Sequence, residues 1–288
     1  MNTPTPKLVL DCRASVGEGP LWHSQTKRLY LTDIEGRSII WYDPKTGEHD
    51  HIPRKNRVGG FTFERDGSMV LFEEQQVIHR DPKGKERVLM EIKEGNRERF
   101  NDVKADPEGR VFVGTMGIEK QDGALIRVDP GGKYAILMKG VGIGNGPAFS
   151  KDYKRFYFAD SLLQKIYVFD YDRKTGNVSN RRVFSDVPKE EGLPDGATVD
   201  SEDHIWWARW GGFELVRYRP DGSIERRIKF PSRQVSSLTF GGDDMTDMFV
   251  TSACYGLDKA SPGERGGGLY HLNLGIRGIP EPPSRLVV

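Results

Sequence analysis

The feature that most constrains the fold of this chain is a unit that recurs six times along it. Each unit begins with a turn of small residues that leads into a β-strand, and the starts follow one another at roughly 40 to 50 residues, the period of a four-stranded propeller blade. The six starts are Glu18-Gly19-Pro20-Leu21-Trp22, Gly59-Gly60-Phe61-Thr62-Phe63, Asn101-Asp102-Val103-Lys104-Ala105, Asn145-Gly146-Pro147-Ala148-Phe149, Asp195-Gly196-Ala197-Thr198-Val199 and Ser236-Ser237-Leu238-Thr239-Phe240.

The rest of each unit is also typical of β-structure. A polar turn follows the first strand, and a more apolar second strand comes next, as in residues 28–32 and 111–115. The third strand ends in a hairpin signal such as Asp81-Pro82-Lys83-Gly84 or Arg219-Pro220-Asp221-Gly222. An irregular β-sandwich would not explain six matching units. The sequence therefore predicts an all-β protein, a six-bladed β-propeller.

The domain organisation follows from the same repeat. No linker or shift in composition divides the chain, so residues 1–288 are predicted to form a single closed domain. A strand near residues 7–10 precedes the first unit, and we expect it to pair with the last blade, which would cover both sheet edges and close the ring. This pairing would bring Cys12 and Cys254 near each other, but we expect no disulfide in a cytoplasmic protein.

Charge and hydropathy exclude several partners. Lys and Arg number 43 against 42 for Asp and Glu, so a net charge of +1 provides no electrostatic footprint for nucleic acid or an anionic membrane. No apolar stretch approaches the ~20 residues that span a bilayer. The N-terminal residues show no basic region followed by an apolar one, so no secretory signal is predicted. We therefore expect a cytoplasmic protein, a monomer or weak homo-oligomer, that binds neither nucleic acid nor membrane.

The first residues of the six units occupy equivalent positions, here called the column, and this column indicates a functional site. In a propeller the innermost strands surround a central axis, so equivalent positions at one end of these strands point to a common region. Four of the six positions carry a carboxylate or a carboxamide: Glu18, Asn101, Asn145 and Asp195. Such oxygen donors suit a hard divalent cation of the Ca²⁺, Mg²⁺ or Mn²⁺ type. None of the histidines falls in this column, and no G-x-S-x-G motif is present, which disfavours a histidine base or a serine nucleophile.

Several motifs, in order and over almost the whole chain, carry a resemblance to a known family. The sequence resembles the gluconolactonase, senescence-marker-protein (regucalcin) and luciferin-regenerating-enzyme family of six-bladed propellers. The motifs are Val16-Gly17-Glu18-Gly19-Pro20-Leu21-Trp22, Arg99-Phe100-Asn101-Asp102-Val103, Gly109-Arg110-Val111-Phe112-Val113-Gly114-Thr115-Met116, Gly144-Asn145-Gly146-Pro147, Pro194-Asp195-Gly196 and Trp206-Trp207-Ala208-Arg209-Trp210-Gly211-Gly212.

The resemblance implies site residues and a cofactor. It implies that Glu18, Asn145 and Asp195 hold one divalent metal ion, with Asp195 also catalytic. It implies that Arg99, Asn101 and Glu119 bind substrate, Glu119 less firmly because its loop is of a kind that varies in length. Ca²⁺ is expected first because the ligands are oxygens, and Zn²⁺, Mn²⁺, Mg²⁺ and Fe²⁺ stay open.

The implied activity is hydrolysis of a small-molecule substrate, a sugar-acid lactone such as a glucono-, xylono- or arabinolactone. In this hypothesis the metal polarises the ring carbonyl, water attacks, and Asp195 serves as ligand and general base. The alternatives are an organophosphate hydrolase or promiscuous esterase at the same metal, and a non-enzymatic calcium-binding propeller. Strictosidine-synthase-like or luciferin-recycling chemistry is a further alternative, but it would need a more apolar pocket.

Overall fold

A computed structural model describes residues 4–95, 98–117, 121–257 and 266–287 of the chain. These residues form twenty-four β-strands and one short 3₁₀ helix, Lys189–Glu191, so the protein is all-β as predicted. They divide into two compact units, unit 1 within Met1–Lys55 and Val187–Pro280 and unit 2 within Asn56–Asp186 and Glu281–Val288. No helix among them is long and apolar enough to cross a membrane.

Unit 1 contains two antiparallel sheets. The first sheet has the strand order β2 (Gly17–His23), β3 (Arg28–Asp33), β4 (Ser38–Tyr42) and β5 (His49–Pro53). The second sheet has eight strands: β18 (Leu193–Val199), β19 (Ile205–Trp210), β20 (Glu214–Tyr218), β21 (Ile224–Lys229), β22 (Gln234–Gly241), β23 (Asp247–Ala253), β24 (Leu269–Asn273) and β1 (Lys7–Leu10).

The eight-stranded sheet consists of two meanders. One runs from β18 to β21, the other runs from β22 through β23 and β24 to β1, and a single residue pair, Trp210 with Gln234, joins them. Strand β1 pairs antiparallel with β24, from Lys7 opposite His271 to Leu10 opposite Leu269. The N-terminal strand therefore takes the outer position in the last meander.

Unit 2 contains three four-stranded antiparallel meanders. Their strands, in order, are β6 (Val58–Phe63), β7 (Met69–Glu73), β8 (Gln76–Arg80) and β9 (Glu86–Glu91); β10 (Arg99–Ala105), β11 (Val111–Met116), β12 (Gly123–Asp129) and β13 (Lys133–Val141); and β14 (Gly144–Phe149), β15 (Arg155–Asp160), β16 (Lys165–Asp172) and β17 (Asn177–Asp186).

The fourth strand of each meander is the least buried. The three inner strands are mostly buried, and β14 and β22 are buried along their whole length. The fourth strands, such as β5 and β17, are mostly exposed and polar. Polar and charged residues on an outer strand discourage pairing with another chain. The core lies between neighbouring meanders of each unit, with Trp206, Leu238 and Tyr270 in unit 1 and Phe112, Phe156 and Phe158 in unit 2.

The two cysteines do not form a disulfide. Cys12 and Cys254 are both part-buried; Cys12 Sγ lies 3.1 Å from the Gly267 carbonyl oxygen, and Cys254 Sγ lies 3.8 Å from the Arg13 carbonyl oxygen. Burial raises the pKa of the Cys12 thiol to about 11, against smaller lowering effects of backbone hydrogen bonds. The Cys12 thiol is therefore protonated and unreactive near neutral pH.

Candidate functional site

Every first strand is interrupted by a β-bulge at the position of the predicted column. Gly59, Asn101, Asp195 and Ser236 lie inside the register shift, and Glu18 and Asn145 immediately precede it. A bulge leaves a residue outside the regular ladder and re-aims its side chain, and bulges are enriched beside active sites. The six starts predicted from the sequence are therefore also the places where the backbone departs from regular pleating.

Within each unit the first strands lie side by side. In unit 2, β10 packs against β6 and β14, and in unit 1, β22 packs against β18 and β2. The approach is close enough to require glycine: a Cβ on Gly59 would lie 2.1 Å from the Phe100 carbonyl oxygen, and one on Gly196 would lie 2.1 Å from Ser237 Oγ. Ser236 Oγ donates a 2.5 Å hydrogen bond to the Gly17 carbonyl oxygen, which fixes β22 to β2.

In unit 2 the structure brings three of the predicted site residues into one hydrogen-bonded chain. Arg99 Nη1 donates to Asn101 Oδ1 at 2.6 Å and to the Phe100 carbonyl oxygen at 3.0 Å. Asn101 Nδ2 donates to Asn145 Oδ1 at 2.5 Å and to the Gly144 carbonyl oxygen at 3.0 Å. Arg99, Asn101 and Asn145 are all buried. Predicted substrate ligands therefore contact a predicted metal ligand directly.

In unit 1 the two predicted carboxylate ligands lie on the strands that flank β22. Glu18 and Asp195 are buried, with 7% and 5% of their surface exposed. Gly19 N–H donates to Glu18 Oε2 at 3.2 Å, and Gly19 adopts a φ of +52°, a conformation that glycine reaches without strain. The indole N–H of Trp207 donates to the Asp195 main-chain carbonyl at 2.8 Å, which anchors the bulge in β18.

Arg99 lies beside an ion-pair cluster that the sequence did not reveal. Arg57 makes a two-pronged contact with Glu74, through Nε at 3.0 Å and Nη2 at 3.1 Å, and its Nη1 reaches Glu98 at 3.2 Å. Burial alone would raise the pKa of Glu74, but hydrogen bonds and charge from Arg57, together with the charge of Arg99, outweigh burial and lower it. The Glu74 carboxylate therefore stays ionised and holds Arg57 at this end of the strands.

Asp102 fixes the main chain next to Asn145. Its Oδ2 accepts the Gly146 N–H at 2.9 Å, and its Oδ1 accepts the Val103 N–H at 2.8 Å. Burial raises the pKa of Asp102 from its usual 3.8 to about 6, although Lys104 and the two N–H donors act in the opposite direction. Through the Gly146 N–H, Asp102 supports the main chain beside Asn145.

Two further aspartates position the strands that carry Glu18 and Asn145. Asp33, at the end of β3, accepts the N–H groups of Ser15 and Val16 just before β2, both at 3.0 Å. Asp160, at the end of β15, accepts the N–H of Gly142 just before β14 at 3.1 Å. Sequence reasoning missed both, although the signal was present as a repeated tetrapeptide: Tyr30-Leu31-Thr32-Asp33 and Tyr157-Phe158-Ala159-Asp160.

Glu119, the remaining predicted substrate ligand, lies outside the described residues. Within the described ranges no three His, Cys, Asp or Glu side chains cluster as a metal site. The predicted ligand set contains only two acidic residues, and its third member is an amide. Its donors are all oxygens on buried side chains, a chemistry that fits a hard divalent cation and not a soft one.

The structure defines an all-β protein of four-stranded meanders with buried polar side chains at the starts of the first strands, and comparison with known sequences identifies its family. The sequence model of the SMP-30/gluconolactonase/LRE-like region matches residues 16–254. The chain therefore belongs to the SMP-30/gluconolactonase/LRE-like family.

Individual relatives cover nearly the whole chain. Pentonolactonase XacC from Haloferax volcanii is 41% identical and covers 95% of this chain and 96% of its own length. Regucalcin from Xenopus laevis is 33% identical, with 92% and 93% covered. Among solved structures, the calcium-binding protein regucalcin from Agrobacterium tumefaciens superposes with a TM-score of 0.92 at 27% identity, covering 99% of this chain and 100% of its own.

Proposed function

We propose that this protein is a divalent-metal-dependent lactonase that opens a sugar-acid lactone. The observation that carries the proposal is the chain of hydrogen bonds from Arg99 through Asn101 to Asn145, because it joins groups suited to a sugar to a group suited to a cation. The pentonolactonase relative, 41% identical over 95% of this chain, supports the same substrate class.

We infer that the four-stranded meanders are the six blades of one closed propeller, with the eight-stranded sheet counting as two. The sixfold repeat of the sequence and the TM-score of 0.92 to regucalcin support this inference. A cytoplasmic location, a monomeric or weakly oligomeric state, and the absence of nucleic-acid and membrane partners stay predictions from the sequence.

Glu18, Asn145 and Asp195 are proposed to hold the cation, with Ca²⁺ first and Zn²⁺, Mn²⁺, Mg²⁺ and Fe²⁺ as alternatives. The calcium-binding regucalcin structure supports placing Ca²⁺ before the other ions, since its sequence is 27% identical over 99% of this chain. When bound, the cation supplies positive charge that polarises a carbonyl oxygen and stabilises the oxyanion that develops there.

The side chains perform the remaining chemistry. The Asp195 carboxylate takes the proton from the water that attacks the lactone carbonyl carbon. The ring C–O bond then breaks as Asp195 returns this proton to the ring oxygen, which gives the hydroxy acid. Arg99 presents a permanently charged group with several donors, and Asn101 both donates and accepts, so the two orient the hydroxyls of the substrate. Glu119 is proposed as a third substrate contact.

A pH-indicator assay over five- and six-membered sugar lactones tests the proposal. Chelator-treated protein receives one divalent ion at a time, with Asp195→Asn as the variant and Asp66→Asn, an exposed turn residue, as the matched control. We expect one ion to restore hydrolysis, Asp195→Asn to abolish it and Asp66→Asn to retain it.

Hydrolysis no faster than the spontaneous rate, for every lactone and ion, would overturn the proposal. A panel that includes a phosphotriester and a simple aryl ester separates the alternatives. Turnover of these substrates without lactone turnover would favour an organophosphate hydrolase or esterase, and ion binding without any turnover would favour a calcium-binding propeller.

A further inference from the structure

Ser161 contacts the side chain of Asn145 on the side opposite Asn101. Asn145 Nδ2 donates to Ser161 Oγ at 2.9 Å, while Asn145 Oδ1 accepts from Asn101 Nδ2 at 2.5 Å. Both residues are buried, with 5% of Asn145 and 2% of Ser161 exposed. The amide of Asn145 is therefore held at both of its ends by groups of unit 2.

The direction of these hydrogen bonds is set by Arg99. A guanidinium has donors only, so the carbonyl end of the Asn101 amide faces Arg99 and its NH₂ end faces Asn145. The Asn145 carbonyl oxygen must then face Asn101, and its NH₂ group must find an acceptor on the other side. The Ser161 hydroxyl oxygen is that acceptor.

The backbone around Ser161 is well anchored. Ser161 N–H donates to the Ile143 carbonyl oxygen at 3.0 Å, and the Ser161 carbonyl oxygen accepts the Gln164 N–H at 3.1 Å. Asp160 accepts the N–H groups of Leu162 and Leu163 at 3.2 and 3.4 Å. The turn between β15 and β16 therefore presents the hydroxyl at a fixed position.

We propose that Ser161 is a positioning residue for Asn145: the Ser161 hydroxyl accepts from the Asn145 NH₂ group and so, together with Asn101, holds the amide in the one orientation that leaves its oxygen available to the cation. This inference rests on the proposed function, in which Asn145 is a metal ligand. Only the oxygen end of an amide binds a cation. Without Ser161 Oγ the Asn145 NH₂ group loses its buried acceptor, and the side chain gains freedom to turn the oxygen away. The residues that orient metal ligands typically contribute about 10- to 100-fold to metal affinity.

The test is the affinity of metal-free protein for Mn²⁺, measured by electron paramagnetic resonance of the free ion. The variants are Ser161→Ala, Asn145→Asp and the double variant. Ser150→Ala is the matched control, because Ser150 is a buried hydroxyl at the other end of β14, bonded to Asp152 at 2.7 Å. Thermal unfolding of each metal-free variant reports folding separately from ion binding.

We expect Ser161→Ala to weaken Mn²⁺ binding at least about tenfold, and Ser150→Ala to leave it unchanged. In the Asn145→Asp background the two ends of the side chain are both oxygens and no NH₂ group needs an acceptor. Ser161→Ala should then weaken binding less than about threefold, a clear deviation from additivity.

Equal Mn²⁺ affinities of wild type and Ser161→Ala would overturn the inference and leave the proposed metal site intact. An equal loss in both backgrounds would also overturn it, since orientation of the amide would not be the cause. Absence of Mn²⁺, Ca²⁺ and Zn²⁺ binding by the wild type would overturn the metal site itself, and the inference with it.

Discussion

Arg209 and Arg217 lie on neighbouring strands of one sheet and are both almost completely buried, but their guanidinium groups are bonded very differently. Arg217 contacts the buried Asp200 carboxylate at 2.7 Å, and also Glu202 at 2.7 Å. Arg209 donates from Nη2 to the Tyr218 hydroxyl, whereas its Nε and Nη1 have no hydrogen-bond partner within the described part of the chain. Burial accordingly lowers the pKa of Arg209.

These environments predict opposite outcomes for the same substitution. Arg209→Met should leave the free energy of unfolding unchanged or raise it by about 1–2 kcal/mol, because it removes buried donors that lack acceptors. Arg217→Met should lower it by about 3–5 kcal/mol, because it leaves Asp200 buried without its cation. Urea unfolding of both variants checks this, and a greater loss for Arg209→Met than for Arg217→Met would contradict it.

The pKa of Asp102 predicts a dependence of stability on pH. The folded state raises this pKa to about 6. Between about pH 4 and pH 6, the native protein therefore holds a proton at Asp102 that the unfolded chain has already released. The contribution of Asp102 to stability therefore falls as pH rises from about 4 to about 6, by roughly 3 kcal/mol at most. Asp102→Asn does not titrate and lacks this dependence.

Urea unfolding of metal-free protein at several pH values measures the difference in unfolding free energy between wild type and Asp102→Asn. We expect the wild type to lose stability relative to the variant as pH rises through this window. A difference that stays constant, or that changes in the opposite direction, would show that the Gly146 and Val103 N–H groups offset burial more fully than the raised pKa implies.

At the scale of strands and turns, the sequence predicted most of the architecture because each of the six sequence repeats has strong local signals. The six predicted starts lie in β2, β6, β10, β14, β18 and β22, and the hairpin signals lie between third and fourth strands, as at Asp81 to Gly84. Local patterns did not predict the bulges, since the extra residue depends on how neighbouring first strands pack. They did not predict the Ser161 contact either, since it joins residues sixteen positions apart.

The turn after β15 is predicted to depend on a single carboxylate. Asp160 is fully buried and accepts N–H groups of Gly142, Leu162 and Leu163. Asp160→Ala should lower the free energy of unfolding by about 2–3 kcal/mol, because one buried N–H group, that of Gly142, and two part-buried ones lose their acceptor. Hydrogen exchange should be faster at these three amides, whereas Asp152→Ala, an exposed turn residue of the same sheet, should leave them protected.

At the scale of the whole molecule, the proposed ligands come from distant parts of the chain. Glu18 and Asp195 belong to unit 1 and Asn145 belongs to unit 2. An ion that binds only the folded state stabilises it, by about 2.7 kcal/mol when the free ion is at 100 times its dissociation constant. Thermal unfolding with and without the ion that restores activity therefore reports whether these residues act on one ion or on separate ions.

If all three residues hold the same ion, Glu18→Gln and Asn145→Ala should each remove most of the ion-dependent increase in melting temperature, and the double variant should remove no more than either alone. Ions bound separately by the two units would instead give partial losses that add, because independent sites contribute independently. Glu48→Gln, an exposed residue of unit 1, serves as the control and should keep the full increase. Additive partial losses would contradict a shared cation and would require a different assignment of the ligands to each unit.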